Sequence, residues 1–187
     1  MKRTALLLLL LTLRYGAQAA VDFTAAESIR EQDGITFPEL IFHQDGHKIT
    51  YEAPRGWSHS GGGSEIRFTP PALSQAQATI EQSPLITSQA FDDATVKLLQ
   101  QKMIESIPTG STNVKIVSEE KNPLTPNGYD TYELLVSYEN YGHAFTASTL
   151  FLNMPDTQLR FRVTARTEDF DKVYGLFRRS LYSWQWL

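Results

Sequence analysis

Cysteine is absent from the 187 residues. That excludes a disulfide framework, a thiolate zinc site and a lipid attached through an N-terminal lipobox cysteine, so stability rests on packing alone. Basic side chains are also scarce. Setting aside Lys2, Arg3 and Arg14, the 17 basic residues less these three leave 14 against 21 acidic ones, a net charge of −7. An acidic balance of this size argues against nucleic-acid partners and against electrostatic docking on anionic lipid. No linker, repeat or low-complexity stretch divides the chain, and its 41% hydrophobic content suits one ordinary globular core.

The long apolar run lies at the beginning. Lys2 and Arg3 precede the apolar stretch Ala5 to Leu13, and Ala17-Gln18-Ala19 follows as a small-x-small cleavage site. Nine residues at about 1.5 Å each reach roughly 14 Å, less than half of a roughly 30 Å hydrocarbon core. The expectation is a cleavable signal peptide over residues 1–19, cut after Ala19. The mature protein is then periplasmic or secreted, of bacterial type, with no integral membrane segment after cleavage.

Residues 20–33 are polar and weakly patterned, and are expected to form a loose N-terminal arm ahead of a single domain over 34–187. Asp45-Gly46 separates two apolar-alternating runs, the signature of a two-residue hairpin, and Pro38 should stand at a strand start or edge. Beyond Pro54-Arg55-Gly56-Trp57, strands are expected at Glu65 to Thr69 and Ala76 to Gln82. Val96, Leu99, Met103 and Ile107 share one helical face between about Gln89 and Ile107. Extended runs follow at Asn113 to Lys121, Tyr129 to Glu139, His143 to Leu152 and Gln158 to Thr167, separated by turn residues, which favours a consecutive antiparallel meander. Thr167 is expected to cap a closing helix with the stripe Phe170, Val173, Tyr174, Phe177 and Leu181, before a short terminal strand at Trp184-Gln185-Trp186-Leu187. These elements predict an α+β fold, an antiparallel sheet flanked by helices.

The motif Tyr51-x-x-Pro54-x-Gly56-Trp57 at the end of a strand, ahead of strands, a helix, a meander and a Phe-rich amphipathic helix, resembles the PsbP-like fold over roughly residues 47–186. That fold is shared by extrinsic photosystem subunits, the Ran-binding Mog protein and small exported bacterial proteins. The resemblance implies an α/β/α sandwich serving as an adaptor or binding module. It transfers no functional residue beyond the structural turn at Pro54, Gly56 and Trp57.

The candidate constellations are sparse. His43, Asp45 and His47 flank a tight turn and need not project to one side, so no metal site is expected there. Ser58, His59, Ser60 and Ser64 surround Gly61-Gly62-Gly63, but sequence neighbours rarely make a working nucleophile–base pair, and no Gly-x-Ser-x-Gly elbow is present. The segment is expected to be an ordinary mobile glycine-rich loop, with help to a binding surface as the alternative. Arg160, Arg162 and Arg166 share one strand face and suit an acidic ligand unless Glu133 and Glu139 neutralise them across the sheet. Tyr141 at a hairpin tip and Trp186 at the terminus are candidate interface aromatics.

The expected function is therefore that of an exported, non-enzymatic binding or adaptor protein of the bacterial cell envelope, engaging a protein partner. The expected binding residues are Trp57, His59, Tyr141 and Trp186, with no catalytic residue, no metal and no cofactor. The alternative is a small-ligand or anion-binding carrier using a sheet/helix cleft near the glycine run.

Overall fold

Apolar residues alternate with polar ones in several extended runs, and a computed structural model, which describes residues 21–85 and 89–187, gathers the strands into two antiparallel sheets. The predicted leader lies outside the described residues. Strands β1 (Asp22–Gln32), β2 (Ile35–Gln44), β3 (His47–Tyr51) and β11 (Gln185–Trp186) form a four-stranded sheet in that order. The larger sheet contains β4 (Ser58–Gly62), β5 (Glu65–Thr69), β6 (Gln77–Pro84), β7 (Thr112–Lys121), β8 (Thr131–Asn140), β9 (His143–Asn153) and β10 (Thr157–Arg166). Its spatial order is β4-β5-β6-β10-β9-β8-β7, so the last four strands are the consecutive meander that the turn residues predict.

Two helices cover opposite faces of the larger sheet. Helix α1 (Asp93–Glu105) buries Leu99 and Met103 against Tyr132, Leu134, Val136 and Tyr138 of β8. Helix α2 (Thr167–Ser180) buries Phe170, Val173 and Phe177 against Leu159, Phe161 and Val163 of β10, on the other face. Each such side chain contributes roughly 1.5–3 kcal/mol when fully buried, so the stripes hold both helices in place. The sheet flanked by helices is as expected. The second sheet is not: β1, β2, β3 and β11 lie beside α2 and fill the same core with Phe23, Phe42, Ile49 and Tyr51. The chain leaves that small sheet at Pro54–Trp57, where Trp57 N donates to Pro54 O at 3.1 Å and Gly56 takes φ 79°, and then begins the large one.

Three local expectations are corrected. The stretch expected as a loose arm is strand β1, paired with β2 from Asp22↔His43 to Gln32↔Ile35. Its alternation is broken by a register shift between Asp22 and Ala26, and beyond Glu27 no third strand among the described residues continues the sheet and its side chains are exposed or half-buried, so it reads as polar. The Gly61–Gly63 run is not an open loop: Gly61 and Gly62 belong to β4, which pairs with Glu65–Thr69, and Gly63-Ser64 is the tight turn of that hairpin. Finally, Thr167 is the first residue of α2 rather than its cap; the capping position is Arg166, which makes no side-chain cap bond, and Thr167 Oγ1 lies 3.1 Å from Thr146 Oγ1. At α1, by contrast, the Asp92 carboxylate caps the helix, accepting from Thr95 N at 2.8 Å.

Candidate functional site

Side chains that carry chemistry collect at two places on the larger sheet. Under α2, the buried Glu133 carboxylate accepts from Ser148 Oγ at 2.6 Å and from Tyr174 Oη, which is 3.0 Å from each of its oxygens. Arg178 completes the group, donating to Tyr174 Oη at 2.8 Å and to Pro123 O at 3.1 Å, with its Nη1 3.9 Å from Glu133. Burial and the neighbouring carboxylate push the Tyr174 phenol up to about 12. The adjoining cavity measures about 10 Å³, room for one water at most. This arrangement satisfies a buried charge and pins α2 to β8; it leaves no space for a ligand.

The second place is at one end of the sheet. The pairings Ser58↔Thr69, Thr164↔Gln77, Arg166↔Phe145 and Asn140↔His143 bring the start of β4, the end of β5, the start of β6, the end of β10 and the β8–β9 turn to that same end. There, between the segment 74–77, Pro108 after α1, and the strands β8, β9 and β10, an open cleft of about 270 Å³ is lined by Gln75, Gln77, Tyr138, Asn140, Phe145 and Thr164. Tyr138 and Phe145 stack on each other at 5.5 Å and 13°.

The arginine row of β10 lies on the same strand face as Thr164, though none of its members lines the cleft, and the three differ. Arg160 is spent on Glu81, 3.1 Å away on the neighbouring strand. Arg166 places Nε 2.7 Å from Gln75 Oε1, and its Nη1 is 3.8 Å from the exposed Glu168. Arg162 is half-buried; it donates to Ser106 Oγ at 2.7 Å and has no carboxylate within ion-pairing distance among the described residues. Desolvation draws its pKa below the usual arginine range. The expectation that Glu133 and Glu139 neutralise this row fails, because β9 separates β8 from β10 and Glu133 faces α2 instead.

The four predicted binding residues do not form one site. Trp57 is buried, stacked on Phe177 at 6.4 Å and 8°, so it packs the core rather than presenting a ring. His59 lies on β4 with Nε2 3.9 Å from Glu27 of β1, and its ring sits 6.3 Å from Phe68. Tyr141 stands at the β8–β9 turn, 94% exposed. Trp186 is half-buried near the other end of the molecule, donating from Nε1 to Gln44 at 3.0 Å and packing edge-on against Tyr129. Ser58 and Ser60 alternate with His59 along β4 and point away from it, and Ser58 Oγ is 3.5 Å from Thr69 O, so no nucleophile–base pair forms. Among the described residues no three His, Asp or Glu side chains gather as a metal site, and no helix is long and apolar enough to cross a membrane.

Sequence reasoning placed Glu133 opposite the arginines and Tyr174 in an apolar stripe, missing their pairing, and it missed the cleft residues Asn140, Phe145 and Gln75. Glu133 carried a signal: a charge inside Tyr132-Glu133-Leu134-Leu135-Val136, a run buried on both faces. The cleft carried none, because its walls come from five separate segments.

No family model matches the chain, and no curated protein matches its sequence significantly. Solved structures do match. LpqN, described as involved in cell envelope biogenesis of Mycobacterium tuberculosis, superposes with a TM-score of 0.53 at 15% identity, covering 87% of this chain and 91% of its own. Cyanobacterial PsbP (CyanoP) from Synechocystis sp. PCC 6803 gives a TM-score of 0.51 at 15% identity, covering 89% and 92%. With its antiparallel sheets, its two helices and these neighbours, the chain has the PsbP-like fold.

Proposed function

We propose that this chain is an exported, non-catalytic binding protein of the bacterial cell envelope that engages a protein partner through the end of the large sheet bearing Tyr141. The observation that carries this reading is the state of Tyr141 itself. It occupies the first central position of a two-residue turn at φ 47°, followed by Gly142 at φ 75°, and its ring is 94% exposed. Asn, Asp or Gly meets that backbone more easily than a bulky aromatic does, and an exposed ring gains nothing from the fold. A residue that is locally unfavourable and globally unpacked is best accounted for by a contact with another molecule.

Two further features agree. Residues 27–39 of β1 and β2 extend past Leu40, the last β2 residue paired to β3, as a two-stranded arm with Ile29 71% and Ile35 58% exposed. From its base at Glu27, beside His59 of β4, that arm points toward the same end of the large sheet as Tyr141. Export is supported by the leader pattern of residues 1–19, and the envelope by the role described for LpqN, which shares the fold.

The test is site-specific photo-crosslinking in intact cells, with benzoyl-phenylalanine in place of Tyr141 and, separately, of Tyr182, an aromatic 67% exposed elsewhere. A discrete protein adduct at position 141 and none at 182 supports the reading. Identical adducts at both positions, or none at 141, rejects it.

A further inference from the structure

We infer that the cleft at the C-terminal end of α1 binds a small organic anion, a carboxylate or phosphate carried on a flat apolar group, with Arg162 and Arg166 meeting the charge and the Tyr138–Phe145 pair meeting the flat group. This inference stands apart from the partner reading and needs no part of it.

The argument begins with the cation. A guanidinium taken partly out of water is costly to leave without an anion, and buried arginines are ordinarily paired with carboxylates. Arg160, two residues before Arg162 on the same strand face, follows that rule through Glu81. Arg162 does not. Among the described residues its one direct bond goes to a neutral hydroxyl, Ser106 Oγ, at 2.7 Å, which fixes the side chain, while Glu81 acts on its charge only from beyond ion-pairing distance. Ser106 lies two residues before Pro108, which lines the cleft, and Thr164, two residues after Arg162 on the same face of β10, lines it as well. Neither Arg162 nor Arg166 is itself a lining residue, but Arg162 interacts electrostatically with Tyr138, which is.

Arg166 is preorganised on the same face. Gln75, a cleft residue, holds its Nε at 2.7 Å, and its one ion-pair partner among the described residues is the largely exposed Glu168 at 3.8 Å, a contact that solvent weakens. Two arginines bracket Thr164 on one face of the strand, and a guanidinium fork suits the planar oxygens of a carboxylate or the oxygens of a phosphate.

The remaining wall sets the other half of the ligand. Tyr138 and Phe145 stack at 5.5 Å, and the amide side chains of Gln77 and Asn140 offer neutral hydrogen bonds beside them. At about 270 Å³ the cleft lies just below the roughly 300–1,000 Å³ of sites for drug-sized molecules, so the occupant is compact.

The experiment is an NMR titration of the isotope-labelled purified protein with benzoate, phenyl phosphate, inorganic phosphate and benzamide, following backbone amides. The expected result is saturable shifts at Tyr138, Asn140, Phe145 and Thr164 with benzoate or phenyl phosphate, whichever carries the preferred anion. Binding should be at least tenfold weaker for inorganic phosphate and for neutral benzamide. Arg162→Gln should weaken the organic anion at least tenfold, and Arg67→Gln, at an exposed arginine outside the cleft, should not. If Arg162→Gln does not give a folded spectrum, Arg166→Gln decides, with a weakening of at least threefold expected. Equal binding of benzoate and benzamide, equal binding of phenyl phosphate and inorganic phosphate, unchanged affinity in the arginine variant, or no localised shifts would each overturn the inference.

Discussion

Tyr174 of α2 reaches across to β8 and sets its hydroxyl 3.0 Å from both carboxylate oxygens of Glu133. One phenol thus shares a buried negative charge with Ser148 and couples the helix to the sheet. Tyr174→Phe removes the donor and leaves the charge under-satisfied, so chemical denaturation should show a loss of about 1–3 kcal/mol. Glu133→Gln should cost less than Glu133→Leu, because the amide still offers an acceptor to Ser148 and Tyr174 while leucine leaves both unpaired. If leucine proves the milder change, the network is not what holds α2.

The same phenol sets an alkaline limit. Tyr174 and Tyr132 are each raised to about 12, chiefly by burial, and Tyr51, fully buried, is raised further still. A folded-state pKa above the unfolded one means that the native state holds the proton more tightly. The stability these groups contribute is complete below about pH 10 and falls as the pH rises toward 12. Ultraviolet titration of tyrosinate should show a late-ionising fraction, with thermal unfolding moving down over the same interval.

At the acid end the sign reverses. Asp92 caps α1 and Asp22 accepts from Thr24 N at 2.9 Å, and these backbone bonds draw both carboxyls below the usual range. Their support is present above the unfolded pKa and fades as the pH drops through the folded one. Asp92→Ala should lower Tm at pH 7 and should lose that effect in strong acid. A Tm deficit that persists undiminished there would contradict a role for the ionised cap.

Two glycines should respond in opposite directions to alanine. A Cβ at Gly61 would stand 2.6 Å from Glu65 O, at φ 120°, so Gly61→Ala must displace backbone in the β4–β5 hairpin and should cost more than about 1 kcal/mol. Gly175 lies within α2, and a Cβ there meets nothing within 4 Å. Gly175→Ala should therefore gain about 0.5–1 kcal/mol from helix propensity. Denaturant midpoints measured on the two variants check both signs.

Tyr141→Asn separates folding from recognition. Asn suits the left-handed backbone at φ 47° better than Tyr does, so stability should be unchanged or slightly raised. Capture of the partner found by crosslinking should nevertheless drop. Loss of both together would place Tyr141 in the fold rather than at an interface.

How much of this was legible depended on whether the information was local. The Asp45-Gly46 hairpin, both helical stripes and the four-strand meander follow from spacing and turn residues, and each is found in place. Asp33-Gly34 carries the same signal as Asp45-Gly46, at φ 52° and 74°, and it joins β1 to β2. It was obscured because β1 loses its alternation at a bulge and runs out over solvent, so the turn had no second strand to announce. The Pro-x-Gly-Trp turn is real, yet its Trp57 is consumed by Phe177, which lies far ahead in the chain. The cleft was illegible for the same reason: Gln75, Tyr138, Phe145 and Thr164 become neighbours only through a sheet order in which β6 joins β10.

The last residues of the sequence supply a final consequence. Trp184 is buried against Phe23, Phe42 and Tyr51 of the small sheet and meets Phe161 of the large one edge-on at 5.4 Å. Strand β11 then closes the edge of β3. A chain that emerges N-terminus first has made Phe23, Phe42 and Tyr51 long before Trp184 arrives, and until then those three rings lack their shared neighbour. Contacts of such sequence separation form slowly. The core is thus sealed by a late arrival, and the aromatic cluster of the small sheet is complete only once Trp184 has joined it.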